Sequence, residues 1–308
     1  MSQEKITVVT PTFNRAHTLK RAFDSLLNQT FKDFKWIIMD DGSTDEKEDL
    51  VRGFQVVSPF VIEYYYNPNK HKFHTVFEGI EKVETTYFTI LDSDDSYPVD
   101  ALEVLYEECE KIENQDEFIS VMGLSGDEEG KVVGDEYPNG GFDGSIFEMR
   151  YKYKVRGDKN GMFFTKTYQR ELEKFDYSGI PKGIYIPQSV FFNVYDAKGV
   201  KTRFINKIIR NYHKDENDEA SVSNTRWSGK NRYGLMLGHL SFLNAYQKQL
   251  FPYPKALLRN LIGYQMYAIS QNKDFSKMIQ DVKNPFIKIL GVILFPFSYF
   301  YSLIKLLD

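Results

Sequence analysis

The sequence predicts an α/β protein: a mostly parallel central sheet flanked by helices on both faces, with a helical C-terminal extension. Three observations carry that expectation. Over residues 1–95, short apolar runs alternate with segments of helical spacing, the pattern of a parallel sheet covered on both sides. Polar and acidic clusters fall at 10–15, 40–45 and 92–95, the strand exits where such sheets bind ligands. Beyond residue 228 the apolar spacing is helical only.

The elements follow in order. Residues 6–10 form a β-branched run ended by Pro11. Residues 16–29 repeat apolar side chains at Ala16, Leu19, Phe23, Leu26 and Leu27, which is helical spacing. A strand is expected over 36–39, a helix over 45–57, and a strand over 61–66 that stops at Asn67-Pro68-Asn69. Then come a helix over 75–83, a strand over 87–91 and a helix over 99–111. From about 115 to 180 the pattern loosens. Residues 123–144, rich in Gly, Asp and Glu, read as turns or a mobile loop. A helix is expected over 187–196 and strand-like pieces over 202–205 and 207–210. Residues 213–228 are polar and of mixed charge, as in a flexible segment. Helices follow over 233–249 and 255–271.

Composition narrows the function classes. The 308 residues carry a net charge of −4, which does not suggest nucleic-acid binding. One cysteine, Cys109, excludes an internal disulfide or a thiolate metal site and suits a reducing compartment. The polar start, 1–5, runs straight into a strand, so no signal peptide is expected. The 25 Phe and 21 Tyr bury much area and also stack on sugars and bases. Residues 289–304 are uncharged, contain Pro296 and lie between Lys288 and Lys305. That run of 16 is short for a bilayer span, and its all-round apolarity predicts an in-plane or re-entrant membrane contact through 285–308.

The acidic clusters carry the chemistry. Asp92-Ser93-Asp94-Asp95 follows a strand, and carboxylates one residue apart at a strand exit can share one site. A hard cation such as Mn²⁺ or Mg²⁺ takes oxygen ligands, and a nucleotide diphosphate supplies the remainder. Asp94 or Asp95 also suits the cap of the next helix. In Asp40-Asp41-Gly42-Ser43-Thr44-Asp45, Gly42 permits a tight turn and one of the last three residues can cap a helix. Asp40 and Asp41 are left to accept hydrogen bonds from a base or a ribose. Two nucleotide-binding alternatives fall away. The Gly126–Gly130-Lys131 segment has the wrong spacing for a phosphate loop and Val132 where Ser or Thr is required. No Gly-x-Gly-x-x-Gly follows the first strand. His17, His71 and His74 suit no single metal-binding face and read as loop or surface residues.

These segments resemble a known family. Val9-Thr10-Pro11-Thr12-Phe13-Asn14-Arg15, Ile38-Met39-Asp40-Asp41-Gly42-Ser43-Thr44-Asp45 and Leu91-Asp92-Ser93-Asp94-Asp95 look like the successive signatures of glycosyltransferase family 2, which has the GT-A fold. The resemblance implies an inverting hexosyltransferase that uses a UDP-sugar and a divalent metal. It places Thr10, Pro11 and Asp40 at the uracil and ribose, with Thr12, Asn14, Arg15 and Asp41 beside them. It places Asp92 and Ser93 near the ribose and donor sugar, Asp94 on the metal, and Lys72 on the donor; Phe77 stands where an Asn is expected. His213, with Ser221-Val222-Ser223 beyond it, resembles a segment that closes over the diphosphate and can add a metal ligand. Where the family holds an acidic general base, this chain has Gln188, so Asp158 and Asp176 are the substitute candidates. Arg226-Trp227 is similar to a pair in processive synthases, but the matching Gln is absent and processivity is not expected.

The resemblance also sets expectations for organisation: a catalytic domain over 1–228 and a helical region over 229–308. Within the first, 1–110 is the nucleotide-binding half and 111–228 the acceptor half. The acceptor is expected to be a saccharide, lipid-linked, in capsule or other surface polysaccharide assembly of a bacterium. The expected place is the cytoplasmic, inner face of the membrane, with homo-oligomers allowed. Two rivals differ in class. A sugar-nucleotide-binding or scaffolding subunit is motivated by Gln188. A nucleotidyltransferase needs a Gly-rich basic loop where this chain has residues 11–15.

Overall fold

The computed structural model describes residues 4–213 and 231–305. They fall into two compact units: Met1–Lys182 with Val200–Ala220, and Gly183–Gly199 with Ser221–Asp308. Residues 183–199 thus group with the C-terminal helices.

The first unit is built on one sheet. Its elements are β1 (Ile6–Thr12), α1 (Ala16–Leu27), β2 (Phe34–Asp40), α2 (Lys47–Val57), β3 (Ile62–Tyr66), α3 (Lys72–Glu81), β4 (Tyr87–Ile90), α4 (Ala101–Glu110), β5 (Phe118–Gly126), β6 (Gly141–Gly144), β7 (Lys159–Phe164), α5 (Thr165–Glu173) and β8 (Lys201–Asn211). The strand order is β3-β2-β1-β4-β7-β5-β8-β6. Strands β1 to β4 are parallel, and β5 is parallel to β8. β7 is antiparallel to both β4 and β5, and β6 is antiparallel to β8.

All seven residues of β1 are buried, as expected of a strand covered on both faces. Helix α1 turns Leu19, Ala22, Phe23 and Leu26 inward, and Phe23 stacks on Phe54 of α2 at 4.1 Å. The register pairs Thr12 with Asp40, so β1 and β2 end together. Pro11 fits in β1 because pairing with β4 stops at Val9 and Ile90. The missing N–H therefore lies on a side that β4 has already left.

The structure corrects several boundaries. Helix α3 starts at Lys72 rather than 75, which puts Lys72 and His74 in its first turn. The 123–144 stretch begins in β5 and ends in β6, so both its ends are sheet. The two pieces expected near 202–210 are one strand, β8, whose pairing with β5 shifts register three times. β7 and α5 had no counterpart in the sequence expectation. Most of the 213–228 segment, with Ser221 to Ser223, Arg226 and Trp227, lies outside the described residues.

The second unit holds α6 (Ser189–Asp196), α7 (Arg232–Ala245), α8 (Pro254–Ser270), α9 (Phe275–Asp281) and α10 (Pro285–Lys305). Buried polar pairs tie it together: Tyr246 Oη donates to Asp196 at 2.6 Å, and Tyr264 Oη to Asp281 at 2.7 Å. The apolar tail is one helix of 21 residues with Pro296 inside it. It starts four residues before the uncharged run, and Pro285–Ile304 is long and apolar enough to cross a membrane.

Candidate active site

The site lies at the carboxyl ends of β1, β2 and β4. Three side chains leave β4 together: Asp92, Asp94 and Asp95 each bring a carboxylate oxygen within 4.8 Å of the others. Like charges this close need counter-charges or a cation. The protein supplies cations from three directions. Lys72, opening α3, donates to Asp92 Oδ1 at 2.6 Å. Arg15, just before α1, pairs with Asp94, while Arg21 donates to the Asp94 carbonyl at 2.9 Å. Arg210, buried in β8, lies 3.2 Å from Asp95 and donates to Asp158 at 2.7 Å.

The carboxylates do not titrate alike. Burial alone pushes Asp92 up, but the ammonium of Lys72, with Arg210 and Arg15, outweighs it and holds the carboxyl below its usual range. For Asp95 burial wins over Arg210, and the charges of Asp92 and Asp94 add to it, so its carboxyl is pushed up to about 7. Three hard oxygen donors in this spacing fit Mg²⁺ or Mn²⁺.

Asp40 and Asp41 form the second wall. Asp40 Oδ2 accepts from Tyr64 Oη at 2.6 Å and Oδ1 accepts from the Ser43 amide at 2.8 Å. Lys47, wholly buried, lies 3.9 Å away. Asp41 Oδ1 accepts from the Lys70 amide and the Thr75 hydroxyl, both at 2.7 Å. Its burial nonetheless raises its carboxyl above the usual value.

The turn residues act across loops rather than on their own helix. Asp45 accepts from the Ala16 amide at 2.8 Å and so caps α1. Ser43 accepts from the Asn14 amide, and Asn14 Oδ1 accepts from the Thr44 amide. Asp95 does not cap α4, which starts after Asp100; it is buried against Arg210 instead. Gly42 has φ +83°, and a Cβ there would meet the Asn69 amide nitrogen at 2.8 Å. The loops after β1 and β2 are thus one interlocked structure.

The remaining residues named from the sequence separate clearly. Thr10 accepts from Trp36 Nε1 at 2.8 Å and is already engaged. The buried Thr12 hydroxyl makes no hydrogen bond among the described residues. Pro11 and Ser93 are buried as well. Asp158 joins the cluster through Arg210, although its side chain is 64% exposed. Asp176 does not join it. Its carboxylate accepts from Ser178, in a groove lined by His74, Glu78, Glu81, Gln169, Tyr177 and Lys182. Gln188 precedes α6 in the second unit. His213 is not part of the carboxylate group, since Nε2 meets Ser96 at 3.0 Å and Nδ1 meets Glu128 at 2.9 Å. Its amide donates to Asp95 at 3.2 Å. His74 is buried in α3 rather than at the surface.

Sequence reasoning missed Arg210, Tyr64 and Lys47. Arg210 had a signal, a lone cation after the apolar pair Ile208-Ile209 in a strand. Tyr64 and Lys47 had none.

Comparison with known proteins agrees with this geometry. The family model described as Glycosyl transferase family 2 matches residues 7–174. The GalNAc(5)-diNAcBac-PP-undecaprenol beta-1,3-glucosyltransferase of Campylobacter jejuni is 26% identical over 265 residues, covering 80% of this chain and 75% of that protein. Among solved structures, S. aureus TarS 1–349 in complex with UDP-GlcNAc aligns with a TM-score of 0.56 at 17% identity, over 98% of this chain and 88% of that one. The mannosyltransferase PcManGT from Pyrobaculum calidifontis, in complex with GDP-Man and Mn²⁺, aligns with a TM-score of 0.53 at 13% identity, over 99% and 85%. At these identities the structures establish the fold.

Proposed function

The chain belongs to glycosyl transferase family 2 and has the GT-A fold, and from that premise we propose that it is an inverting, metal-dependent transferase moving a hexose from a UDP-sugar to a saccharide. One observation carries the reading: Asp92, Asp94 and Asp95 gather within 4.8 Å where β1, β2 and β4 end. Asp40, Asp41 and the Thr12 hydroxyl, which makes no hydrogen bond among the described residues, lie together at the ends of β1 and β2 and support a nucleoside contact there. We read residues 1–110 as the nucleotide-binding half; the stretch 111–228 read as the acceptor half is divided between the two units, with 183–199 in the second.

The three carboxylates would hold Mn²⁺ or Mg²⁺, which when bound would supply positive charge to the departing diphosphate. Asp40 and Asp41 accept hydrogen bonds from base and ribose, and Tyr64 and Thr75 fix their orientation. Lys72 and Arg15 bring positive charge to the diphosphate side. The acceptor oxygen bonds to the anomeric carbon as the bond to the diphosphate oxygen breaks. The hydroxyl proton passes to a carboxylate, and Asp158 is the one that shares Arg210 with the cluster.

The Campylobacter relative is named for a PP-undecaprenol saccharide. That name supports a lipid-linked saccharide acceptor; surface polysaccharide assembly at the cytoplasmic face of the membrane completes the proposal. The test is calorimetric titration of UDP, with and without Mn²⁺, into wild type and Asp94→Asn. Mn²⁺-dependent binding that disappears in the variant is expected. Equal binding in both proteins, whatever the metal, would remove the assignment. A second reading, donor binding without transfer, is favoured by Gln188 and by the ion pair with Arg210 that already engages Asp158. UDP binding with no transfer to any acceptor in a panel would select it.

A further inference from the structure

Helix α10 has two faces of different character. Ile287, Gly291, Ser298 and Ser302 are buried, at helical spacing, against the rest of the second unit. Gln265 of α8, itself buried, closes this seam. Its Nε2 donates to the Gly291 carbonyl and its Oε1 accepts from Ser298 Oγ, both at 2.7 Å. The opposite stripe, Phe286, Ile289, Ile293, Phe297, Phe300 and Ile304, is exposed along its whole length. Off the helix, Phe251 packs on Phe286 of this stripe at 5.4 Å, and Phe275 packs at 4.3 Å on the half-buried Phe295 at the helix flank.

The same stretch of chain is basic. Residues 254–305 contain seven Lys or Arg and two Asp, in a chain whose net charge is −4. Lys277 and Lys283 are exposed, two residues after Phe275 and three before Phe286 in the chain, and Lys288 is half-buried one turn into α10. We propose that the exposed stripe of α10, with Phe251, Phe275 and this lysine rim, seats the second unit in the plane of an anionic lipid surface. The inference takes the membrane location from the function proposed above, and not the transfer chemistry.

The length of α10, about 30 Å at 1.5 Å per residue, also matches a hydrocarbon core. Two features favour lying in the plane over crossing. A crossing helix has to leave α8 and break the buried Gln265 seam, exposing Ser298, Ser302 and Gln265 to lipid. Pro296 has no N–H for the Val292 carbonyl one turn earlier, and both residues are exposed. Headgroup water satisfies that carbonyl, and hydrocarbon does not. A second copy of the chain is the weaker occupant, because pairing two such faces sets one basic rim against another.

The test is co-sedimentation of the full chain with phosphatidylcholine vesicles, with and without phosphatidylglycerol. Binding is expected only with the anionic lipid. It should weaken about fivefold for each lysine removed in a Lys277→Gln, Lys283→Gln, Lys288→Gln variant. Ile293→Asp with Phe300→Asp should weaken it roughly tenfold or more. Alkaline carbonate should strip the bound wild type from the vesicles. UDP affinity, measured on each variant, keeps this result separate from the donor-site assignment. If the aspartate variant does not fold, the lysine variant decides alone. Equal binding to neutral vesicles, indifference to the lysines, resistance to carbonate, or a stable dimer that ignores vesicles would each overturn the proposal.

Discussion

Asp41 is held in the fold at a cost that a ligand can offset. Burial raises its carboxyl above the usual value in spite of hydrogen bonds from Lys70 and Thr75. A carboxyl raised on folding binds its proton more tightly in the native than in the unfolded chain. Its contribution to stability is therefore full below the unfolded pKa and is lost as pH rises through the folded one. Asp41→Asn should match wild-type melting in acid and exceed it at neutral pH, because an amide oxygen accepts the same two bonds. UDP affinity should fall roughly 10- to 100-fold, the worth of a hydrogen bond to a charged group. Thermal melts across pH, paired with UDP titration, check both halves. Asp158 gives a second prediction. If it takes the acceptor proton, Asp158→Asn should lower turnover about 10²- to 10⁴-fold with donor binding unchanged. Arg210 gives a third. It is buried with Asp95, so Arg210→Met should lower unfolding free energy by about 3–5 kcal/mol, read by urea titration.

Among the elements, the loops after β1 and β2 behave as one piece. Asn14, Ser43, Thr44 and Asp45 bond across from one to the other, and a Cβ on Gly42 would meet the backbone of Asn67 and Asn69. Gly42→Ala combines a positive φ with a backbone clash. It should cost about 1–3 kcal/mol and weaken UDP binding as well, since the same loop orients Asp40. A loss of stability with unchanged affinity would separate the turn from the site. These residues were legible as turn formers, but their partners were not. Capping chemistry is read from neighbours in the chain, and here the donors sit 29 residues away. β7 was illegible for a related reason. Lys-Asn-Gly opens it, and only pairing with β4 and β5 makes that segment a strand.

The molecule as a whole is two compact units with different surfaces, an acidic cluster at the strand ends of one and an exposed apolar helix face on the other. Binding at the acidic cluster should be felt as stability. UDP with Mn²⁺ at a hundred times its dissociation constant adds about 2.7 kcal/mol, which raises the melting temperature by several degrees. Asp94→Asn should abolish the rise, and a scanning thermal melt reads it. The alternation of strands and helices, the three polar strand exits and the apolar tail were determined by the sequence itself, because periodicity and turn chemistry lie in consecutive residues. The tertiary structure alone decided which charges meet. Arg15 and Asp94 are 79 residues apart, and Arg210 reaches back 52 to Asp158. It also decided that β7 enters between β4 and β5, and that α10 buries one stripe on Gln265 and leaves the other bare. Such choices depend on contacts between distant segments, and no local pattern in the chain reports them.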